Sequence, residues 1–580
     1  MPQAAMPPWD KEVDLLVFGS GAAGLMAAFV GAQEGLQVLL CEKSSCLGGT
    51  TATSGGSLWI PNAPPIRRNG KAEDIQRARR YLEGELGDYV RYDLLDAYLD
   101  GGPAAIEYLE RHSDVKFQHV ENPDYHSDAS GGSSFGRAIT TMEFDAGKLP
   151  EEDFALLRPP RDIYMILGGM MVGRREVPML IWPFASLKTF AHVVMVLSAH
   201  ALARLRRPRG TRLLLGNALV ARFLSSLRKK HVQIAVNAPL TQLLRGEGGV
   251  EGAVVAMNDS SIRIRARRGV VLATGGIAHS QPLRDELMKD FPHRNSFAFE
   301  GNTGDAVTAA RAAGGMVDAA VSNPGYWSPM SVRESAGGGR IEWIHGHMDR
   351  GKPGLIAVNR SGRRFVNESN SYHDFVLGQF KCGTTPEALR AWLVCDHRFI
   401  REYGLGLVRP RISLLKPYIT DGYLRTAGTI RDLAVEIGVD PDVLTATIAE
   451  CNRDAGEGVD RLFGRGSSAF NRFNGDANVQ PNPCMKAIVT PPFYAVAVHP
   501  CTIGTTLGLM TDRNAAVLDH EGRRIDGLYA CGNDMSSVMR GFYPGPGITL
   551  GPAITFSFRA VMDMTGNPAY AQAGSSRGLQ

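Results

Sequence analysis

At 580 residues the chain is long enough for two or more cores, and its 44% hydrophobic and 21% charged residues exclude fibrous and disordered classes. A net charge of +4 is too small to argue for nucleic acid, and no nucleic-acid-binding motif accompanies it. None of the eight cysteines forms a C-x-x-C pair, so no zinc or iron–sulfur site is expected and the pattern suits a reducing cytosol.

Residues 1–11 carry no apolar signal core, so export is not expected and a cytoplasmic location is. Residues 13–18 are a short apolar run of strand type, and 22–30 are rich in helix formers. Between them Gly19, Gly21 and Gly24 have the G-x-G-x-x-G spacing. The first glycine suits a tight turn, the second a close approach to a pyrophosphate, the third helix–strand packing. The first helical turn, with Ala22 and Ala23, presents N–H groups and a positive dipole end to phosphates. A second strand, 37–41, ends in Glu42, placed to accept from ribose hydroxyls. These features together predict a dinucleotide site.

From Lys43 the chain runs through Gly48, Gly49, Thr50, Thr51, Ser54, Gly55 and Gly56. Two glycine pairs with hydroxyl residues between them suit a backbone pressed against a large flat ligand. Residues 73–110 read as a polar helical cover, and 122–132 as a turn-rich loop around Tyr125. The region 163–209 is rich in methionine, holds Trp182 and Phe184, and ends in Arg204, Arg206, Arg207 and Arg209. Its most apolar piece, 190–203, is shorter than the ~20 apolar residues of a spanning helix. Two readings stand: a helical pair over the substrate entrance, or an interfacial anchor with its arginines towards lipid phosphates.

A helix and a strand are expected within 217–242, a hairpin at 252–257 and 262–265, and a buried strand at 269–274 entering the turn Gly275-Gly276. From about 283 irregular loops and helices (305–313, 441–453) suggest an inserted domain that returns near 493. The chain closes with a strand and turn, 525–533, and a glycine/proline loop, 542–549, opening a last helix whose N-terminus offers donors to an oxygen.

These motifs resemble the FAD-dependent 3-ketosteroid Δ1-dehydrogenases, within the fumarate-reductase-like flavoproteins. The resemblance rests on residues 13–56, the A-T-G-G strand, G-L-Y-A-C-G-N at 527–533, P-D-Y at 123–125, N-E-S-N-S-Y at 367–372 and Y-P-G-P-G at 543–547. It implies an α/β fold: a Rossmann-like FAD-binding domain (1–282 and 494–580) with an inserted α+β catalytic domain (283–493). It implies FAD as cofactor, a 3-ketosteroid as substrate and an external electron acceptor. Tyr543 and Gly547 would bind the C3 ketone, Tyr372 would abstract the C2 proton with Tyr125 assisting, and the flavin would take the C1 hydride. Gly19, Gly21, Ala22, Ala23, Gly24, Glu42, Lys43, Gly49, Thr50, Thr51, Ser54, Gly55, Gly56 and Gly275 would hold FAD, with Asn533, Thr549 and Leu550 at its other end.

The residue types suit that chemistry. A C–H bond beside a ketone is acidic only if the enolate oxygen is stabilised, and one oxyanion donor is worth about 3 kcal/mol. A tyrosine base, with a reference pKa of about 10, gains from a second phenol that shares its charge. The histidine and arginine set with which fumarate reductases grip a dicarboxylate is not evident. Gly545 stands where Δ4(5α)-dehydrogenases carry serine, which favours Δ1 chemistry. The alternatives are a flavin enzyme of the same fold acting on another apolar ketone or enone, such as a Δ4(5α)-ketosteroid, and a non-catalytic FAD-binding protein.

Overall fold

A computed structural model describes residues 8–173, 176–257, 259–291, 295–334, 338–346, 349–411 and 414–567. Most of the N-terminal stretch read for an export signal lies outside these residues.

The first strand, β1 (Lys11–Phe18), is buried on both faces from Leu15 to Phe18, as a central parallel strand must be. Helix α1 (Ala22–Gln33) follows directly, and β2 (Val38–Cys41) returns beside β1 in parallel. Residues 22–31 of α1 are all buried, packed against the last helix (Leu550–Thr565) and the helix Leu215–Lys229. That environment explains an apolar helix without a polar stripe. Gly24 lies where the turn and α1 touch: a Cβ there would collide with the Gly19 carbonyl.

The eight-stranded nucleotide-side sheet runs Gln233–Ala235, β2, β1, Ser260–Leu272, Gly249–Met257, Leu240–Gly246, with Arg524–Ala530 and Ala516–Leu518 branching from Ser260–Leu272. The expected hairpin arm at 262–265 and buried strand at 269–274 are one strand, Ser260–Leu272. Its first half pairs antiparallel with Gly249–Met257, and its second half lies parallel to β1 and to Arg524–Ala530. One strand therefore changes from alternating to continuous burial where its neighbours change.

A six-stranded sheet forms the second layer: Arg340–Ile344, Gly325–Glu334, Phe493–Thr505, Ala391–Cys395 and Leu355–Val358, with Arg425–Ala427 on Phe493–Thr505. The expected return at 494 falls at the head of one of its strands. The nucleotide-side sheet resumes only with Ala516–Leu518 and Arg524–Ala530.

The expected polar cover at 73–110 is two helices, Ile75–Leu86 and Tyr92–His112, broken at Gly87, which has φ +52°. The second is more than a cover, since Leu94, Tyr98, Ile106 and Leu109 are buried and the helix packs on Leu550–Thr565. In the methionine-rich region two helices do form, Glu176–Ile181 and Leu187–Arg204. Among the described residues no helix is long and apolar enough to cross a membrane.

Candidate active site

One cavity of about 1540 Å³ runs from the glycine turn after β1 to the second sheet. All the expected cofactor and catalytic residues line it except Gly24, which packs behind the turn. The turn depends on Gly19: its φ is +96°, and a Cβ would meet the Ala273 carbonyl at the end of Ser260–Leu272. Gly21 is the N-cap of α1, and residues 21–23 line the cavity at the positive end of the helix, where Thr51 Oγ1 accepts from the first N–H, that of Ala22. The last helix likewise begins at the cavity, at Thr549 and Leu550.

Glu42 does more than its spacing predicts. Its Oε2 accepts from Ser20 N (3.0 Å) and Ser20 Oγ (2.5 Å), and its Oε1 from Ser44 N (2.9 Å) and Ser44 Oγ (3.0 Å). The carboxylate thus ties the turn to the next loop. Two of its four donors are hydroxyls, which rotate aside for a ribose hydroxyl. Thr51 Oγ1 accepts from Ala22 N (2.9 Å), Thr50 Oγ1 from Phe299 N (2.9 Å) and Asn302 Nδ2 (3.1 Å), and Ser54 Oγ from Gly56 N (3.1 Å). Lys43 Nζ reaches Thr303 and Asp305 (2.7 Å). Gly275 and Asn533 close the wall near Asn302 and Gly504. Asp534 is buried beneath, accepting from Thr274 N and from Gly276 N (2.8 Å), with burial raising it to about 6. Donors along the groove, two helix N-termini at its wall and glycines that cannot carry a Cβ fit a dinucleotide with a flat ring system. The contacts at Asn302, Thr303 and Asp305 come from a loop whose sequence carries no signal for them.

At the far end three phenols meet. Tyr125 and Tyr543 stack at 5.5 Å between ring centroids, and Tyr372 lies edge-on to both, at 5.7 and 5.0 Å. Tyr125 donates to the Tyr372 hydroxyl at 3.1 Å. Burial holds all three well above the ordinary tyrosine range, so they stand protonated as donors. The Arg350 charge pulls against this at Tyr125. Gly547, with φ +98°, lies against the backbone of Ser57 and Leu58 where no Cβ fits. Its carbonyl accepts from Trp59 N at 3.0 Å.

Each phenol is held by its own scaffold. Tyr125 N donates to Pro544 O (2.9 Å), joining the P-D-Y loop to the Y-P-G-P-G loop. Asp124, fully buried and raised by burial to about 6, accepts from Trp59 Nε1 (2.8 Å), Ser133 N (3.0 Å) and Arg137 Nη1 (2.5 Å). Tyr372 opens the helix Tyr372–Phe380, capped by Ser371 Oγ accepting from Asp374 N. The preceding Glu368 is clamped by Arg364 (2.7 Å) and Arg465 (3.3 Å), and Arg350 Nη1 donates to Glu368 O (2.7 Å). Tyr326 and Phe470, at 5.1 Å from Tyr543 and 4.8 Å from Tyr125, back the phenols, and nothing in their surroundings in the sequence marked them.

The helical pair forms part of the wall of this cavity. Val177, Ile181, Trp182, Val193 and Leu197 line it, while Phe184 (82% exposed) and Leu187 (85% exposed) face outward.

Residues 14–550 match the family described as FAD binding domain. The chain is 35% identical to a 3-oxosteroid 1-dehydrogenase of Mycolicibacterium smegmatis, over 97% of this chain and 99% of that one. The chain belongs to the FAD-dependent 3-ketosteroid Δ1-dehydrogenase family. FAD is its cofactor. It is equally, 35%, identical to a 4-oxocyclohex-2-ene-1-carboxylate 5-dehydrogenase of Sinomonas cyclohexanicum, covering 95% and 93% of the two chains. Its fold is similar to the crystal structure of 3-ketosteroid Δ1-dehydrogenase from Sterolibacterium denitrificans in complex with 1,4-androstadiene-3,17-dione, with a TM-score of 0.87 at 33% identity over 96% of this chain and all of that one.

Proposed function

We propose that this enzyme introduces the 1,2 double bond into 3-ketosteroids. The observation that carries the reading is the meeting of three phenols with Gly547 at one end of the FAD cavity. Tyr543 O–H and Gly547 N–H bind the C3 ketone oxygen and stabilise the enolate that develops there. Tyr372 acts as base from its phenolate, its own proton leaving to solvent first. Tyr125 O–H donates to the phenolate oxygen and shares its charge, and that oxygen then takes the C2 proton. The flavin, when bound, supplies the acceptor for the C1 hydride, and an external acceptor then removes the electrons. Gly545, standing where Δ4(5α)-dehydrogenases carry serine, supports Δ1 specificity, and a Cβ there would meet the Trp59 indole. Anaerobic bleaching of the flavin by 3-ketosteroids tests the reading, and a 1,2-unsaturated product is expected.

A second reading follows from the equal identity to the 4-oxocyclohexenecarboxylate enzyme: a small cyclic ketone acid as substrate. The apolar lid and the extent of the cavity favour the steroid. Bleaching by 4-oxocyclohex-2-ene-1-carboxylate but not by a steroid panel would reverse that preference.

The outward face of the lid supports a further part of this proposal, a peripheral membrane contact. Phe184 and Leu187 at the start of the helix Leu187–Arg204, Met195 along it, and Leu205 between Arg204 and Arg206 at its end are exposed, a combination that suits an anionic lipid surface. Flotation with anionic vesicles, weakened by salt, is the expected result. Absence of binding at low salt would leave the helices as a lid alone.

A further inference from the structure

His126 follows Tyr125 directly and lies outside the reaction described above. Its Nδ1 is 2.6 Å from Glu85 Oε2 and its Nε2 is 2.9 Å from Asp374 Oδ2. A carboxylate on each ring nitrogen requires both nitrogens to donate, which only the imidazolium does. Asp374 is two residues after Tyr372, in the first turn of its helix, and Glu85 lies on the helix Ile75–Leu86. The charged ring therefore ties the loop of Tyr125 to the helix of Tyr372. The His126 N–H also donates to Tyr81 Oη (3.3 Å), which donates to Pro544 O (2.7 Å), next to Tyr543.

We propose that His126, held between Glu85 and Asp374, is a positioning residue that fixes the Tyr125 and Tyr372 hydroxyls for proton abstraction. The inference rests on the proposed reaction. The backbone bond from Tyr125 to Pro544 spans only the Tyr125 and Tyr543 segments. Across the Tyr125–Tyr372 pair, the His126–Asp374 bond is a charged tie beside the 3.1 Å hydroxyl bond. A hydroxyl bond by itself leaves each phenol free to move with its own segment, and misplacement by about 1 Å costs up to about a hundredfold in rate.

The groups facing the ring are consistent with a permanent charge. Glu85 and Asp374 raise His126 to about 11, while burial opposes them. Asp374 is held below the ordinary carboxylate range mainly by His126, against burial. The neighbouring His373 is fully buried and lowered to about 4, so it adds no competing charge. Tyr81 is held neutral by burial, and Arg350, lowered by burial to about 10, stays cationic within the field of Asp374.

The test uses the FAD-loaded enzyme and its His126→Gln, Asp374→Asn and Glu85→Gln variants. Flavin reduction is followed by stopped flow with a 3-ketosteroid carrying hydrogen or deuterium at C2. Steroid affinity is read separately from the flavin spectrum with the 1,2-unsaturated product. Reduction should slow by between about tenfold and a hundredfold in His126→Gln and Asp374→Asn. The C2 isotope effect should rise and product affinity should stay within about twofold of wild type. Glu85→Gln, which spares the direct tie, should lose less. Wild-type reduction in both His126→Gln and Asp374→Asn would overturn the proposal. So would a slower rate with an unchanged isotope effect and a matching loss of product affinity, the signature of general damage. Tyr372→Phe separates the two layers. If it reduces its flavin normally, the assignment of the base fails and this inference fails with it. If it is inactive while His126→Gln behaves as wild type, only the positioning role fails.

Discussion

At the glycine-turn end of the cavity the donors are backbone N–H groups and short hydroxyls from two neighbouring segments, 19–24 and 49–56. The side chains that brace them are local too, with Glu42 bonding to Ser20 and Ser44. At the phenol end the groups are long side chains from three distant segments, with Tyr125 and Tyr372 standing 247 positions apart in the chain. Buried charge braces them: Asp124 with Arg137, and Glu368 with Arg364 and Arg465. The comparison separates binding from chemistry. A phosphate needs only a fixed backbone, whereas an enolate needs hydroxyls brought to one point and kept there.

The contrast breaks most sharply at Tyr372. Tyr372→Phe removes the proposed base and keeps the ring, so flavin reduction by a 3-ketosteroid should fall by about a thousandfold or more, with FAD content unchanged. Stopped-flow bleaching measures the rate and the visible spectrum the content. A wild-type rate would move the proton acceptor elsewhere, with Tyr125 first in line. Tyr543→Phe removes one of two proposed ketone donors, and kcat/KM should drop by about a hundredfold. Because both groups serve one enolising transition state, the double variant should lose less than the product of the two losses.

Gly545→Ser sharpens the comparison by placing a backbone constraint at the phenol end. The added Cβ must displace Trp59, which is bonded to Asp124. Overpacking should cost about 1–3 kcal/mol of stability, seen as a lower temperature of flavin release, and should slow the steroid reaction. A variant as stable as wild type would show that the Y-P-G-P-G loop yields easily.

The smallest effect is one of pH. His126 rises from 6.5 to about 11 on folding, so its stabilisation is full below pH 6.5 and is lost progressively up to pH 11. Asp374, held below 3.8 in the fold, loses its contribution as pH falls through its folded value. His126→Gln should therefore be nearer to wild type in urea midpoint at pH 10 than at pH 6. A difference independent of pH would deny the imidazolium.

The glycine turn, Glu42, the loop through Gly56 and the late Y-P-G-P-G loop were legible in the chain because each is local. A turn with positive φ, a helix start or a backbone against a ligand needs particular residues within a few positions. The two helices of 163–209 were legible for the same reason. Their double use, one face on the cavity and one outward, was not. The strand Ser260–Leu272 read as two because half of it faces solvent and half is enclosed by parallel neighbours, so its pattern changes within one element. The break at Gly87 was hidden in a polar helical pattern that continues on both sides of it.

The phenol cluster divides differently. Three of its tyrosines carried motifs, but Tyr326, Phe470, His126 and Asp374 carried none, and only folding brings them together. By itself the sequence determined the glycine turn, the loops that line the groove and the short motifs that carry three of the tyrosines, since these depend on local backbone shape and residue chemistry. The tertiary structure alone decided which groups surround those tyrosines. Burial, charge partners and relative position are properties of contacts made across hundreds of residues, and periodicity and spacing carry no record of them.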